Sequence, residues 1–157
     1  MNNIVSLTGH KNSKKTTVAF ELAKNSAVEF VKAYTDKPSN DMWIDCYFYV
    51  SKDKLDELIE EREVLYKSMV DGYRYVFFKD QLTAPYNILI LDDYGVADLQ
   101  GKYSNYFYSI KVVSKNQVDS DRVGVYLYNH EFDEVFDYDN DEIEDLEARI
   151  EANLIWK

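Results

Sequence analysis

The chain has 157 residues, the size of one domain, and 46% of them are apolar, including 14 tyrosines and 8 phenylalanines; that composition buries a real core and excludes wholesale disorder. A formal net charge of −11 argues against nucleic acid as a partner, because Lys and Arg facing phosphates supply most non-specific affinity. The single Cys46 cannot staple the fold, which fits a reducing compartment. No run approaches the ~18 apolar residues of a membrane span and no apolar leader is visible, so the expectation is one cytoplasmic domain with no membrane association.

In chain order, Ile4-Val-Ser-Leu7 predicts a strand, and Val18, Phe20, Leu22 and Ala23 predict a helix that begins after a loop at Thr16. Ala27 to Val31 reads as a second strand, broken over Tyr34 to Pro38 because Pro38 disfavours regular structure just before it. Cys46 to Val50 is a strand, with Cys46 a buried structural thiol. Ser51 then caps a helix running to Glu61 whose apolar positions are Leu55, Leu58 and Ile59. Val64 to Met69 and Tyr73 to Phe78 form a hairpin around Asp71-Gly72, so this middle section is expected to be antiparallel.

Asn87-Ile-Leu-Ile-Leu91 followed by Asp92-Asp93 suits a strand buried on both faces whose carboxyl end opens on a site. Tyr106 to Val113 is a further strand. The acidic run from Asp133 to Glu147 is expected to be a solvated helix start, leading into an amphipathic helix from Asp141 to Leu154 with Ile143, Leu146, Ile150 and Leu154 on one face. Together these elements predict an α/β fold of the nucleotide-binding type, with a mostly parallel sheet and an inserted antiparallel subdomain.

Gly9-x-x-x-x-Lys14-Lys15-Thr16, between the first strand and the first helix, has the frame of a phosphate-binding loop. In such a loop successive N–H groups curl around the phosphates, the helix terminus adds partial positive charge, a Lys reaches the outer phosphates and a hydroxyl holds Mg²⁺. Gly9, Ser13, Lys14, Lys15, Thr16 and Thr17 are the candidate phosphate-binding residues. Lys14 stands where a glycine is expected, at a cost of about 1–3 kcal/mol if the backbone must be strained. Asp92, at a strand end, is the carboxylate that would join Thr16 on Mg²⁺, with Asp93 its neighbour. His10 and His130 have no Cys or second His at ligand spacing, so zinc is not expected.

Over most of its length the chain resembles a divergent guanylate kinase, one of the P-loop nucleoside monophosphate kinases. Besides the loop, the resemblance rests on Val28 to Pro38, on Tyr47-Phe-Tyr-Val-Ser51, on Val64-Leu-Tyr66 through Gly72-Tyr-Arg-Tyr75, on Ile90-Leu-Asp92 to Gly95-Val96, and on Phe132 to Asp141 with the helix that follows. It implies ATP as phosphoryl donor with Mg²⁺, Lys15 and Arg122 as catalytic residues, and an acceptor pocket formed by Thr35, Tyr47, Tyr66, Arg74 and Tyr75. It also implies a nucleotide monophosphate subdomain over residues 34–82 and a reduced lid over 115–131. Three departures bear on function. Asp36 replaces an arginine that grips the acceptor phosphate, Tyr66 replaces a glutamate that reads guanine, and Arg122 is the only arginine between Tyr75 and Arg149. The expected function is therefore phosphoryl transfer to a nucleoside or deoxynucleoside monophosphate, without specificity for GMP. The alternative is a catalytically inactive module that binds a protein partner through an acidic, tyrosine-rich surface.

Overall fold

The computed structural model describes residues 2–39, 46–117 and 131–154. They fall into two units, Met1–Phe30 with Ala84–Lys157, and Val31–Thr83. Numbered along the whole chain, the first unit holds strands β1 (Asn3–Thr8) and β2 (Val28–Phe30) and helix α1 (Lys15–Leu22). The second holds β3 (Ala33–Thr35), β4 (Tyr47–Tyr49), α2 (Lys52–Glu61), β5 (Val64–Val70) and β6 (Tyr73–Phe78). The chain then returns to the first unit with β7 (Tyr86–Ile90), α3 (Asp93–Tyr103), β8 (Phe107–Val113), β9 (Glu134–Asp137) and α4 (Ile143–Leu154).

The sheet of the first unit has five strands in the order β2-β7-β1-β8-β9, and each neighbouring pair is parallel. Its central strands are buried almost throughout, Ser6 and Ser109 included, and on one face Val5, Leu7, Ile88, Ile110 and Val112 pack against Val18 and Leu22 of α1 and Leu146, Ile150 and Leu154 of α4. The amphipathic face expected for the last helix is the one that is buried. Asp133 to Glu147 departs from the expected solvated helix start. Residues 134–137 are strand β9, Phe136 on it is 1% exposed, and the helix begins only at Ile143. The acidic side chains serve the intervening turn: Asp137 accepts from the Asp139 N–H at 3.0 Å and from Asn140 Nδ2 at 2.7 Å, while Asp141 accepts from the Asp137 N–H at 2.8 Å.

The second unit is a four-stranded sheet ordered β4-β3-β6-β5. The expected hairpin is present, and Asp71 and Gly72 both have positive φ, 53° and 82°, the left-handed pair that a two-residue hairpin turn needs. β3 also pairs antiparallel with β6, whereas β3 and β4 run parallel. Ala33–Thr35 lies partly inside the segment expected to break. The strand survives to Thr35 and the turn comes one residue later, where the Lys37 N–H bonds Thr35 Oγ1 at 3.2 Å. Ser51 caps α2 as expected, accepting from the Lys54 N–H at 3.1 Å. Leu55 of α2 is buried against Val76 and Phe78, with Tyr34, Val50, Leu58, Ile59 and Val64 around them. One face of this sheet is thus the core of the unit.

Candidate phosphate loop and tyrosine face

β1 is the middle strand of the parallel sheet, and in chain order the strands of that sheet run 2-3-1-4-5. Connections diverge to both sides of β1, and in open α/β sheets the crevice at the carboxyl end of such a strand is where ligands bind. The register sets out what lies there. Leu7 pairs with Ile90 and Thr8 with Lys111, so the residues after Thr8 leave the sheet between the ends of β7 and β8, with Asp92 just beyond β7.

The loop's own geometry explains its sequence. A Cβ on Gly9 would sit 2.4 Å from Ser13 Oγ and 2.6 Å from the Val112 carbonyl oxygen, so no side chain fits. Ser13 folds over Gly9 and donates its N–H to the His10 carbonyl at 3.1 Å. The Ser13 hydroxyl is buried without a hydrogen-bond partner among the described residues. Lys15 Nζ arches back over the loop to the Gly9 carbonyl at 3.0 Å and the His10 carbonyl at 3.3 Å. Thr16 is half-buried and Thr17 exposed, both in the first turn of α1.

Lys14, the N-cap of α1, has φ 75° and ψ 19°, the left-handed conformation, and its side chain is exposed. The chain therefore keeps the backbone shape that glycine would take while placing a lysine there. A non-glycine residue in this region costs about 1–2 kcal/mol. Lys14→Gly is expected to raise the unfolding free energy by about 1 kcal/mol, read from the urea midpoint at constant m-value; an unchanged midpoint would mean that the neighbourhood already absorbs the strain.

Asp92 Oδ1 accepts from the Gly95 N–H at 2.7 Å and caps α3. Asp93, beside it, is buried. The sequence reading contains no helix over residues 93–103, and this cap was the signal for one.

In the second unit, strand alternation sorts the expected acceptor residues. Thr35 pairs with both Tyr49 and Tyr75, and Tyr75 pairs with Ser68. These side chains, with Tyr47, Tyr66 and Tyr73 at alternate positions on the same strands, lie on the face opposite α2. The Tyr47 ring is 5.4 Å from Tyr75 and 6.0 Å from Tyr49, both edge-on. Burial, then the nearby Cys46 and Tyr75, push the Tyr49 hydroxyl's pKa up. Tyr49, Tyr73 and Ser68 were not singled out in the sequence, although the alternation of Tyr47/Tyr49 and Tyr73/Tyr75 signals them.

Arg74 does not join this group. It neighbours Tyr75 on β6 and so points to the other face. There its Nε donates to Asp36 Oδ2 at 2.9 Å, Nη1 to Asp56 Oδ1 at 2.5 Å and Nη2 to the Lys52 carbonyl at 3.2 Å, while its backbone N–H reaches Asp36 Oδ1 at 2.8 Å. Arg62 is held in the same way by Asp80, with Nε to Oδ2 at 2.9 Å, and lies 4.2 Å from the Phe78 ring centre. Arg149 Nε donates to Glu134 Oε2 at 2.6 Å. Each arginine among the described residues is thus engaged by a carboxylate. Arg122, His130 and residues 118–130 of the expected lid lie outside the described residues.

Neither a protein-family profile nor a curated protein matches the chain. Among solved structures it is similar to the crystal structure of guanylate kinase from Anaplasma phagocytophilum, with a TM-score of 0.69 over 99% of this chain and 85% of that one. The chain has a guanylate kinase-like fold. At 18% identity the guanylate kinase-like likeness is one of architecture, so the chemistry rests on this chain's own residues.

Proposed function

We propose that the chain binds ATP through Gly9, Ser13, Lys14, Lys15, Thr16 and Thr17 and transfers its terminal phosphoryl group to a nucleoside or deoxynucleoside monophosphate, without specificity for GMP. The observation that carries this reading is the loop at the carboxyl end of the central parallel strand, closed tightly over Gly9 and crossed by the Lys15 ammonium. A triphosphate fits these groups: it would take over the Lys15 ammonium from the loop carbonyls and give the buried Ser13 hydroxyl an acceptor. Thr16 and Asp92 are hard oxygen donors suited to Mg²⁺, which when bound neutralises charge on the transferring group. In the transfer an acceptor oxygen attacks the γ-phosphorus and the bond to the bridging oxygen breaks, so Lys15 and Lys14 act by holding negative charge. The unit Val31–Thr83 is assigned the acceptor, held by Thr35, Tyr47, Tyr66 and Tyr75. Residues 115–131 are assigned the lid, with Arg122 its cation, and the cytoplasm is the expected location.

GMP is disfavoured because guanine presents N–H donors that a carboxylate reads best, and Tyr66 offers none. In a coupled assay with Mg-ATP and a panel of monophosphates, at least one other acceptor is expected to exceed GMP in kcat/KM by ~10-fold or more. GMP as the best acceptor would overturn the acceptor assignment.

One observation favours a second reading, in which the chain is a catalytically inactive module that binds a protein through its acidic, tyrosine-rich surface. Arg74 lies on the other face of β6, where Asp36 holds it, and among the described residues of this unit no guanidinium is on the tyrosine face. Mg-ATP binding with no turnover on any monophosphate would support that reading.

A further inference from the structure

The strands of the second unit divide their charges unequally between the two faces of the sheet. On the face opposite α2, the half-buried Tyr47, Tyr49, Tyr66, Ser68, Tyr73 and Tyr75 lie around the buried Thr35 and Phe77, so the strand residues there are rings and neutral hydroxyls. The strand cations are on the other side. Lys67 pairs with Val76, which is buried under α2, and Arg74 is locked by Asp36 and Asp56. Lys32, just before β3, also sits on that side, its ammonium 5.4 Å from the Phe48 ring centre.

A phosphate dianion is held well by cations and only modestly by neutral donors, and this chain is itself strongly acidic. Aromatic rings and neutral hydroxyls are instead suited to the flat face of a base and the hydroxyls of a sugar. We propose that the tyrosine face recognises the base and sugar of a nucleoside and is nearly indifferent to its 5′-phosphate. The inference rests on the reading above for the ligand being a nucleotide, and it changes which part of the acceptor this unit grips. Tyr47, Tyr66 and Tyr75 of the proposed acceptor pocket become a selector of the base and sugar.

The test is calorimetric titration of the full chain, with Mg²⁺ and a non-hydrolysable ATP analogue, by adenosine, cytidine, uridine, thymidine and the corresponding 5′-monophosphates. The expected result is that at least one nucleoside binds within ~3-fold of its monophosphate, with little salt dependence. Tyr75→Arg, which puts a cation on the face, is expected to favour that monophosphate over the nucleoside by ~10-fold or more. Tyr75→Phe keeps the ring and is the variant to use if the arginine is not tolerated. It should weaken both ligands equally and leave their ratio unchanged. Monophosphates binding ~10-fold or more tightly than their nucleosides to the wild type would overturn the inference. So would the failure of every nucleoside to bind while the ATP analogue does, and that outcome leaves the proposed triphosphate site intact. If the analogue itself does not bind, the triphosphate reading is the one that fails.

Discussion

Lys15→Ala is expected to abolish the rise in melting temperature that Mg-ATP produces in the wild-type chain, with a loss of affinity of about 100-fold. The ammonium lies 3.0 Å from the Gly9 carbonyl and 3.3 Å from the His10 carbonyl, positioned over the loop before any ligand arrives. A charge-assisted hydrogen bond to phosphate is worth about 1.5–3 kcal/mol, and a ligand at 100 times its Kd stabilises by about 2.7 kcal/mol. Losing the first therefore removes nearly all of the second at fixed ATP concentration. The free protein should change little, because alanine is the better helix former at the first position of α1 and the two carbonyls stay at a partly solvated loop. Differential scanning fluorimetry with and without Mg-ATP separates the two effects. A Lys15→Ala chain that retains the wild-type shift would remove the loop from consideration as the triphosphate site.

How far the sequence could be read depended on how local each signal was. Ser51 with Leu55, Leu58 and Ile59, Asp71-Gly72, and the apolar run ending at Asp92 are determined by neighbours within one turn or one strand, and the elements appear where they were expected. The helix over residues 93–103 was hidden because Gly95 and Gly101 weaken its propensity and no clear apolar stripe marks it. β9 was hidden by its acidic neighbours. One inward residue, Phe136, on a four-residue strand that among the described residues pairs with β8 alone, is too short a pattern to outweigh them. In the site, the spacing of Gly9, Lys15 and Thr16 carries the loop without any tertiary information, and Lys14 in place of glycine already implied the left-handed backbone it adopts. The partner of Arg74 was not legible. Asp36 lies 38 residues earlier, and only the β3–β6 pairing brings the two together. Alternation along β6 did separate Arg74 from Tyr75, and reading it strictly would have kept the arginine out of the acceptor group.

That pair gives the other large effect, and the two partners should not behave alike. The Asp36 side chain is 8% exposed and the Arg74 side chain 16%, so removing either leaves the other in a poorly solvated place. Arg74→Ala leaves the Asp36 carboxylate with no cation among the described residues, held by backbone N–H groups alone, and is expected to cost about 3 kcal/mol. Asp36→Ala leaves Arg74 with Asp56 and the Lys52 carbonyl, and about 1–2 kcal/mol is expected. Acid should expose the same linkage. Burial pushes the Asp36 pKa up, but the backbone and side-chain hydrogen bonds and the charge of Arg74 outweigh it, and the net position is below the ordinary 3.8. A carboxyl whose folded pKa is depressed contributes its full stabilisation above the unfolded value and loses it as pH falls through the folded one. The stability gap between wild type and Asp36→Asn should therefore be constant from neutral pH down to about 5 and shrink below about 4. Urea unfolding of wild type, Asp36→Asn, Asp36→Ala and Arg74→Ala across that range tests both claims. Equal losses for the two alanine variants, or a gap that does not shrink at all as pH falls below about 4, would mean that Asp36 acts through its shape and its bond to the backbone rather than through its charge.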